Sequence, residues 1–123
     1  MLTMSLVSCI KTMDDFVDNL GKEYETDNLT SKEFEEYAEG FGLDPDDYDV
    51  EDMVIATNKK TACSVVIIEC GSWKDAKRLV GDSDDIIDEL EEAYSSKYTF
   101  EAVNKGRFVF IGESDAIDDA IDD

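Results

Sequence analysis

The sequence predicts an α+β domain: about four mainly antiparallel strands in two hairpins, packed with amphipathic helices, the N-terminal helices coming first. Three observations carry that prediction. Two stretches take on strand character, with turn residues between their halves, which is the signature of hairpins. Elsewhere apolar residues recur at intervals of three and four, as one face of a helix requires. Finally, 123 residues with 42% hydrophobic content supply one core but not two, so residues 1–123 read as a single domain.

Leu6, Ile10, Met13, Val17, Leu20 and Tyr24 share one helical face, while Asp14, Asp15, Asp18 and Glu23 lie off it. A first helix is therefore expected to run through this region, weakened near its end by Gly21. Leu29-Thr30-Ser31-Lys32-Glu33-Phe34 announces a second helix: Thr30 is placed to cap, Glu33 to bond back to it, and Leu29 to staple onto Phe34. Gly40 is its expected stop, and Phe34, Tyr37, Ala38 and Phe41 its buried side. Asp44-Pro45-Asp46-Asp47 reads as a cap followed by Pro at the first helical position, giving a short third helix over about residues 45–51.

The period then changes. Residues 53–57 and 61–69, joined at Asn58-Lys59-Lys60, form the first expected hairpin. Val65 and Ile67 point to one side of its second strand and Val66 and Ile68 to the other, so that strand is apolar on both faces and suits a central place with cover on each side. Ser72 and Asp75 frame the start of another helix, with Trp73 read as a core anchor. Gly81 is the expected interruption, and Asp82 or Asp84 the new cap of an acidic helix that buries Ile86, Leu90 and Ala93 and runs to about Ser96. Residues 98–103 and 107–111 form the second hairpin around Asn104-Lys105-Gly106. A last helix, with Ser114 as cap, is expected to bury Ile117 and Ile121.

Charge is the dominant chemical feature. Acids number 32 against 11 bases, there is no His, and the net charge is −21. A well-behaved small domain carries a magnitude of about 2–8, so self-repulsion costs stability here at low salt. A molar-salt cytoplasm is one reason for such a surface, but the Lys, Cys, Ile and Phe content points away from it. A partner of opposite charge is the other reason. Cys9, Cys63 and Cys70 are odd in number and do not close a disulfide framework, which argues for a reducing cytoplasm. Residues 1–10 lack the basic start and apolar length of a signal segment, and no run approaches a membrane span. A cytoplasmic protein that binds neither membrane nor nucleic acid directly is expected.

Without His, the usual proton shuttle near neutral pH is missing, and no P-loop, GxGxxG or nucleophile elbow is present, so an enzyme is not expected. A calcium loop starting at Asp44 fails at Tyr48, Asp49 and Ile55; one starting at Asp82 fails at Ile86 and Ala93. Cys63 and Cys70, seven apart along one strand, face opposite sides and do not share a metal. No metal and no cofactor is expected. Trp73, Lys74, Lys77 and Arg78 form the one basic, aromatic cluster, too small to offset the surrounding field.

Five acidic runs remain, over residues 14–18, 33–39, 44–52, 82–92 and 115–123. Carboxylates four apart on a helix lie about 6 Å apart along its axis, and duplex DNA carries a charge about every 1.7 Å of its axis. Acidic helices side by side thus approximate a phosphate array. In the runs Asp44-Pro45-Asp46-Asp47-Tyr48-Asp49-Val50-Glu51-Asp52 and Asp82 to Glu92, and in size and composition over the whole chain, the sequence resembles phage-encoded anti-CRISPR and anti-restriction inhibitors that imitate nucleic acid. That resemblance implies a stoichiometric inhibitor occupying the basic groove of a Cas effector in the host cytoplasm. Its partner-binding residues would be Asp44, Asp46, Asp47, Tyr48, Asp49, Glu51, Asp82, Asp84, Asp85, Asp88, Glu91 and Glu92, with Tyr48 an exposed aromatic contact. Two alternatives stay open at this point: an immunity protein neutralising a basic nuclease toxin, and a structural or regulatory domain acidic only for solubility.

Overall fold

The strand read as apolar on both faces lies at the middle of the sheet. In the computed structural model, which describes residues 12–40, 44–93 and 99–121, the elements are α1 (Met13–Leu20), β1 (Tyr24–Asn28), α2 (Ser31–Gly40), β2 (Asp52–Asn58), β3 (Ser64–Glu69), α3 (Trp73–Asp82), α4 (Asp84–Ala93), β4 (Phe100–Lys105), β5 (Phe108–Glu113) and α5 (Ser114–Ile121). Single 3-10 turns occupy Gly21–Glu23 and Pro45–Tyr48. The strands form one antiparallel sheet in the order β1-β2-β3-β5-β4.

β3 carries its apolar residues to two separate cores. Val65 and Ile67 join Met13, Phe16, Leu20, Phe108, Phe110 and Ile117 under α1 and α5. Ile68 joins Met53, Cys70, Ala76, Leu79, Ile86, Val109 and Ile111 under α3, α4 and the Pro45–Tyr48 turn. Helices therefore cover both faces, as the double-sided strand requires. Close packing at the centre restricts the backbone as well. Gly112, at φ 154°, lies opposite Val65, and a Cβ there would run into the Ser64 carbonyl oxygen. Only glycine fits that approach.

Local capping follows the sequence rules closely. The Thr30 hydroxyl accepts from the Glu33 amide at 3.2 Å while the Glu33 carboxylate accepts from the Thr30 amide at 3.2 Å. Ser72 Oγ accepts from the Asp75 amide at 3.2 Å and donates to the Asp75 carboxylate at 3.0 Å. α2 is helical as far as Gly40, which does not take the positive φ of the left-handed stop expected there, and the residues that follow it lie outside the described residues.

Several expectations are corrected. The sheet has five strands rather than four, because the predicted first helix stops at Leu20: Gly21 takes φ 69° and the chain reverses into β1. Tyr24 consequently lies on a strand paired with Asn58, not on the helix. β1 is an edge strand with only Tyr24 buried, so it has no alternation for a pattern to detect. The expected helix over 45–51 is one 3-10 turn, ended by Asp49 at φ 48°. The first hairpin's second strand begins at Ser64 rather than 61, because the Asn58 side chain accepts from the Lys60 and Thr61 amides and Ala62 turns to φ 64°. The second hairpin spans 100–105 and 108–113, with Gly106 at φ 59° first in a two-residue loop.

Helix boundaries shift for similar reasons. α3 continues through Gly81 and breaks at Ser83, whose buried hydroxyl donates to the Leu79 carbonyl at 2.5 Å while its own carbonyl accepts from the Ile87 amide. The cap of α5 is Glu113, not Ser114: its buried carboxylate accepts from the Asp115 and Ala116 amides at 2.9 and 3.2 Å. Ser114 Oγ instead donates to the Thr99 carbonyl. Ile117 is buried as expected, and Ile121 half-buried. Trp73 is no core anchor, being 52% exposed at the flank of α3. The expected roles of Leu6, Cys9, Ile10, Phe41, Tyr98, Asp122 and Asp123 lie outside the described residues, as do those of the Phe34, Tyr37, Leu90 and Ala93 side chains. Among the described residues no helix is long and apolar enough to cross a membrane.

Candidate acidic interface

The segment holding Asp44 to Asp52 is fastened to α3 by its one aromatic residue. Tyr48 is buried under the helix and its hydroxyl donates to Asp82 Oδ2 at 2.7 Å. Above its ring, at 5.3 Å from the centroid, sits the Arg78 guanidinium, which donates through Nη2 to the Asp47 carbonyl at 2.6 Å and faces Asp75 at 3.7 Å. At the start of α3 the Asp49 carboxylate lies so close over Gly71 that a Cβ there would overlap it. These ties fix the segment to the helix.

Ser83 then joins α3 to α4, and both helices pack with the Pro45–Tyr48 turn on one core, which puts the two acidic runs singled out in the sequence on the same side of the sheet. α2 packs against the Pro45–Tyr48 turn and extends that layer. Residues 31–52 contribute ten acids and one base, and residues 73–93 eight acids and three bases. Of the residues expected to meet a partner, Asp44, Asp46, Asp47, Asp49, Glu51, Asp82, Asp84, Asp85, Asp88 and Glu92 are exposed, and Glu91 is half-buried. Tyr48 corrects the expectation of an exposed aromatic contact: it is 6% exposed and braces the surface from beneath. Nothing in a sequence signals a partnership between residues 34 apart.

A second acidic face lies across the sheet. Asp14, Asp18, Asp115, Asp118 and Asp119 are exposed on α1 and α5, two helices with no base between them. Here too a tyrosine makes the tie, since Tyr24 donates its hydroxyl to Asp119 Oδ2 at 2.8 Å. Asn19 adds a bond from its side-chain amide to the Ala120 carbonyl at 2.8 Å.

Both tyrosines are held neutral. Burial, reinforced by the hydrogen bond to Asp82, pushes Tyr48 up to about 12, and burial with Asp119 does the same for Tyr24. The fold thus favours their protonated forms. Their stabilisation is whole below pH 10, the unfolded value, and is lost as pH rises through about 12. Thermal melts should accordingly lose stability between pH 10 and 12, and Tyr48→Phe should reduce that loss while costing about 1 kcal/mol at neutral pH. An unchanged alkaline profile in Tyr48→Phe would mean that burial and the Asp82 bond do not hold the Tyr48 phenol neutral in the fold.

The thiols lie on opposite faces, as their spacing predicts: Cys63 packs on the α1–α5 core and Cys70 within the other. Cys70 is fully buried and pushed up to about 12, mainly by burial; Cys63, half-buried, is raised for the same first reason. Little thiolate is present at neutral pH in either. Among the described residues no group of three or more Cys, Asp or Glu is placed to hold a metal ion. The cluster around Trp73 keeps Lys77 Nζ 5.1 Å from the indole centroid. No family model, curated protein or solved structure matches this chain.

Proposed function

We propose that the protein is a stoichiometric inhibitor that binds the basic nucleic-acid-binding groove of a CRISPR–Cas effector in the host cytoplasm, as a phage-encoded counter-defence that imitates the charge of nucleic acid. The observation that carries this reading is the Tyr48–Asp82 contact, which merges two acidic runs into one braced surface. A solubilising surface has no need of such bracing, whereas a mimic gains from it, because preorganised charges lose less freedom on binding. The lysines and arginines that normally grip phosphates would pair with the exposed carboxylates of the 44–52 segment and α4. Long-range attraction would speed the encounter, and charge pairs at the desolvated centre would set the lifetime.

A gel shift tests the reading. Added to a Cas effector at equimolar concentration, the protein is expected to abolish the effector's nucleic-acid band. Persistence of that band across a panel of effectors, at a large molar excess of the protein, would remove CRISPR machinery as the target.

A further inference from the structure

We infer that the open edge of the sheet, β1, binds an extended basic segment of a protein, which adds to the five strands as a further one; this goes beyond the groove-blocking reading and does not depend on it. The two edges of the sheet are unlike. β4 is half-buried along its whole length, whereas on β1 every residue from Glu25 to Asn28 is exposed. Register decides which backbone groups face outward. The Lys59 amide donates to the Glu23 carbonyl at 2.9 Å and the Leu29 amide to the Met53 carbonyl at 3.0 Å, so the odd-numbered residues of β1 bond to β2. Thr26 and Asn28 therefore turn their amides and carbonyls to the outer side, where an added strand would meet them.

Charge complementarity selects the occupant. Leu29 packs on the core under α3 and α4 and Tyr24 on the core under α1 and α5, so by alternation Glu25 and Asp27 stand together on the α3–α4 side. A strand laid along β1 brings two of its own residues opposite them, with about 5 Å between Cβ atoms, and basic side chains there make favourable cross-strand pairs. Lys22, Lys59 and Lys60 gather at the Tyr24 end of the edge, which confines its acidic part to those two positions. The fitting segment is accordingly short: two basic residues with one other between them. A second copy of this chain does not fit. Two β1 strands paired antiparallel about Thr26 set Glu25 against Asp27 twice, and like charges so placed repel. The same carboxylates that stop the edge from pairing with itself thus favour a basic strand.

The probe is a short synthetic peptide with Lys-Val-Lys at its centre and threonines on either side, followed by amide hydrogen exchange and NMR titration. With the peptide bound, exchange at the Thr26 and Asn28 amides is expected to slow by about tenfold or more. Methylating the central valine nitrogen keeps the charge and removes the donor that would bond to Thr26, so the modified peptide should bind at least about tenfold more weakly. A similar loss is expected in Thr26→Pro, since an edge position tolerates proline while losing its outward amide. Replacing both lysines of the peptide by glutamate should abolish binding. Equal binding of the methylated and unmodified peptides overturns strand addition in favour of plain charge attraction. Unslowed exchange at Thr26 and Asn28, or no binding of the peptide, overturns the inference as well. The peptide contains no nucleic-acid-binding groove, so these outcomes are separate from the gel shift, which alone decides the groove-blocking reading.

Discussion

Replacing Phe16 by alanine is expected to lower the unfolding free energy by about 3–5 kcal/mol, the range for truncating a fully buried phenylalanine. Phe16 is 1% exposed and packs edge-on against two rings of β5, Phe108 at 5.0 Å and Phe110 at 4.8 Å. Edge-to-face pairs of this kind add to the area term. The loss falls on a domain already strained by its charge, whose total stability is on the order of 5–15 kcal/mol. Urea unfolding followed by circular dichroism should show a much lower midpoint at low salt, partly recovered at high salt as repulsion between carboxylates is screened. A cost below about 1 kcal/mol would mean that α1 is not docked on the sheet as described.

Neutralising Asp84, Asp85, Asp88, Glu91 and Glu92 together, as Asn and Gln, is expected to act in opposite directions on stability and on function. The change removes five negative charges and takes the net charge from −21 to −16. α4 stays docked through buried Ile86 and half-buried Ile87, so the fold should be retained and its low-salt stability should rise. Binding to a basic groove should fall by about 100-fold or more, since several charge pairs are lost at once. Equal inhibition by the variant and the wild type would move the interface to α1 and α5, or leave the acidity as a matter of solubility alone.

How much was legible beforehand depends on the range of the interaction. The capping box at Thr30–Glu33 and the Ser72 cap on Asp75 are four-residue devices, and the sequence displays them whole. The four consecutive apolar residues from Val65 to Ile68 announced a strand covered on both faces, and β3 is the middle strand. β1 escaped notice because an edge strand reading Tyr-Glu-Thr-Asp-Asn buries only its first side chain. The cap of α5 was misplaced because Ser114 is the commoner capping residue, while Glu113 does the capping from a buried position. Trp73 was misread because the arc of α3 that faces the sheet is set by Ala76 and Leu79, one turn further on. The acidic runs themselves were plain in the sequence, but their union through Tyr48 and Asp82 is a tertiary contact.

The most direct measurement is the dissociation constant of the protein with the Cas effector proposed as its partner, determined by calorimetry or competition between 50 and 500 mM salt. Charge mimicry predicts an affinity that falls steeply and linearly in log–log form as salt rises, since both surfaces release condensed or screening ions on contact. An affinity that holds constant across that range would contradict the account.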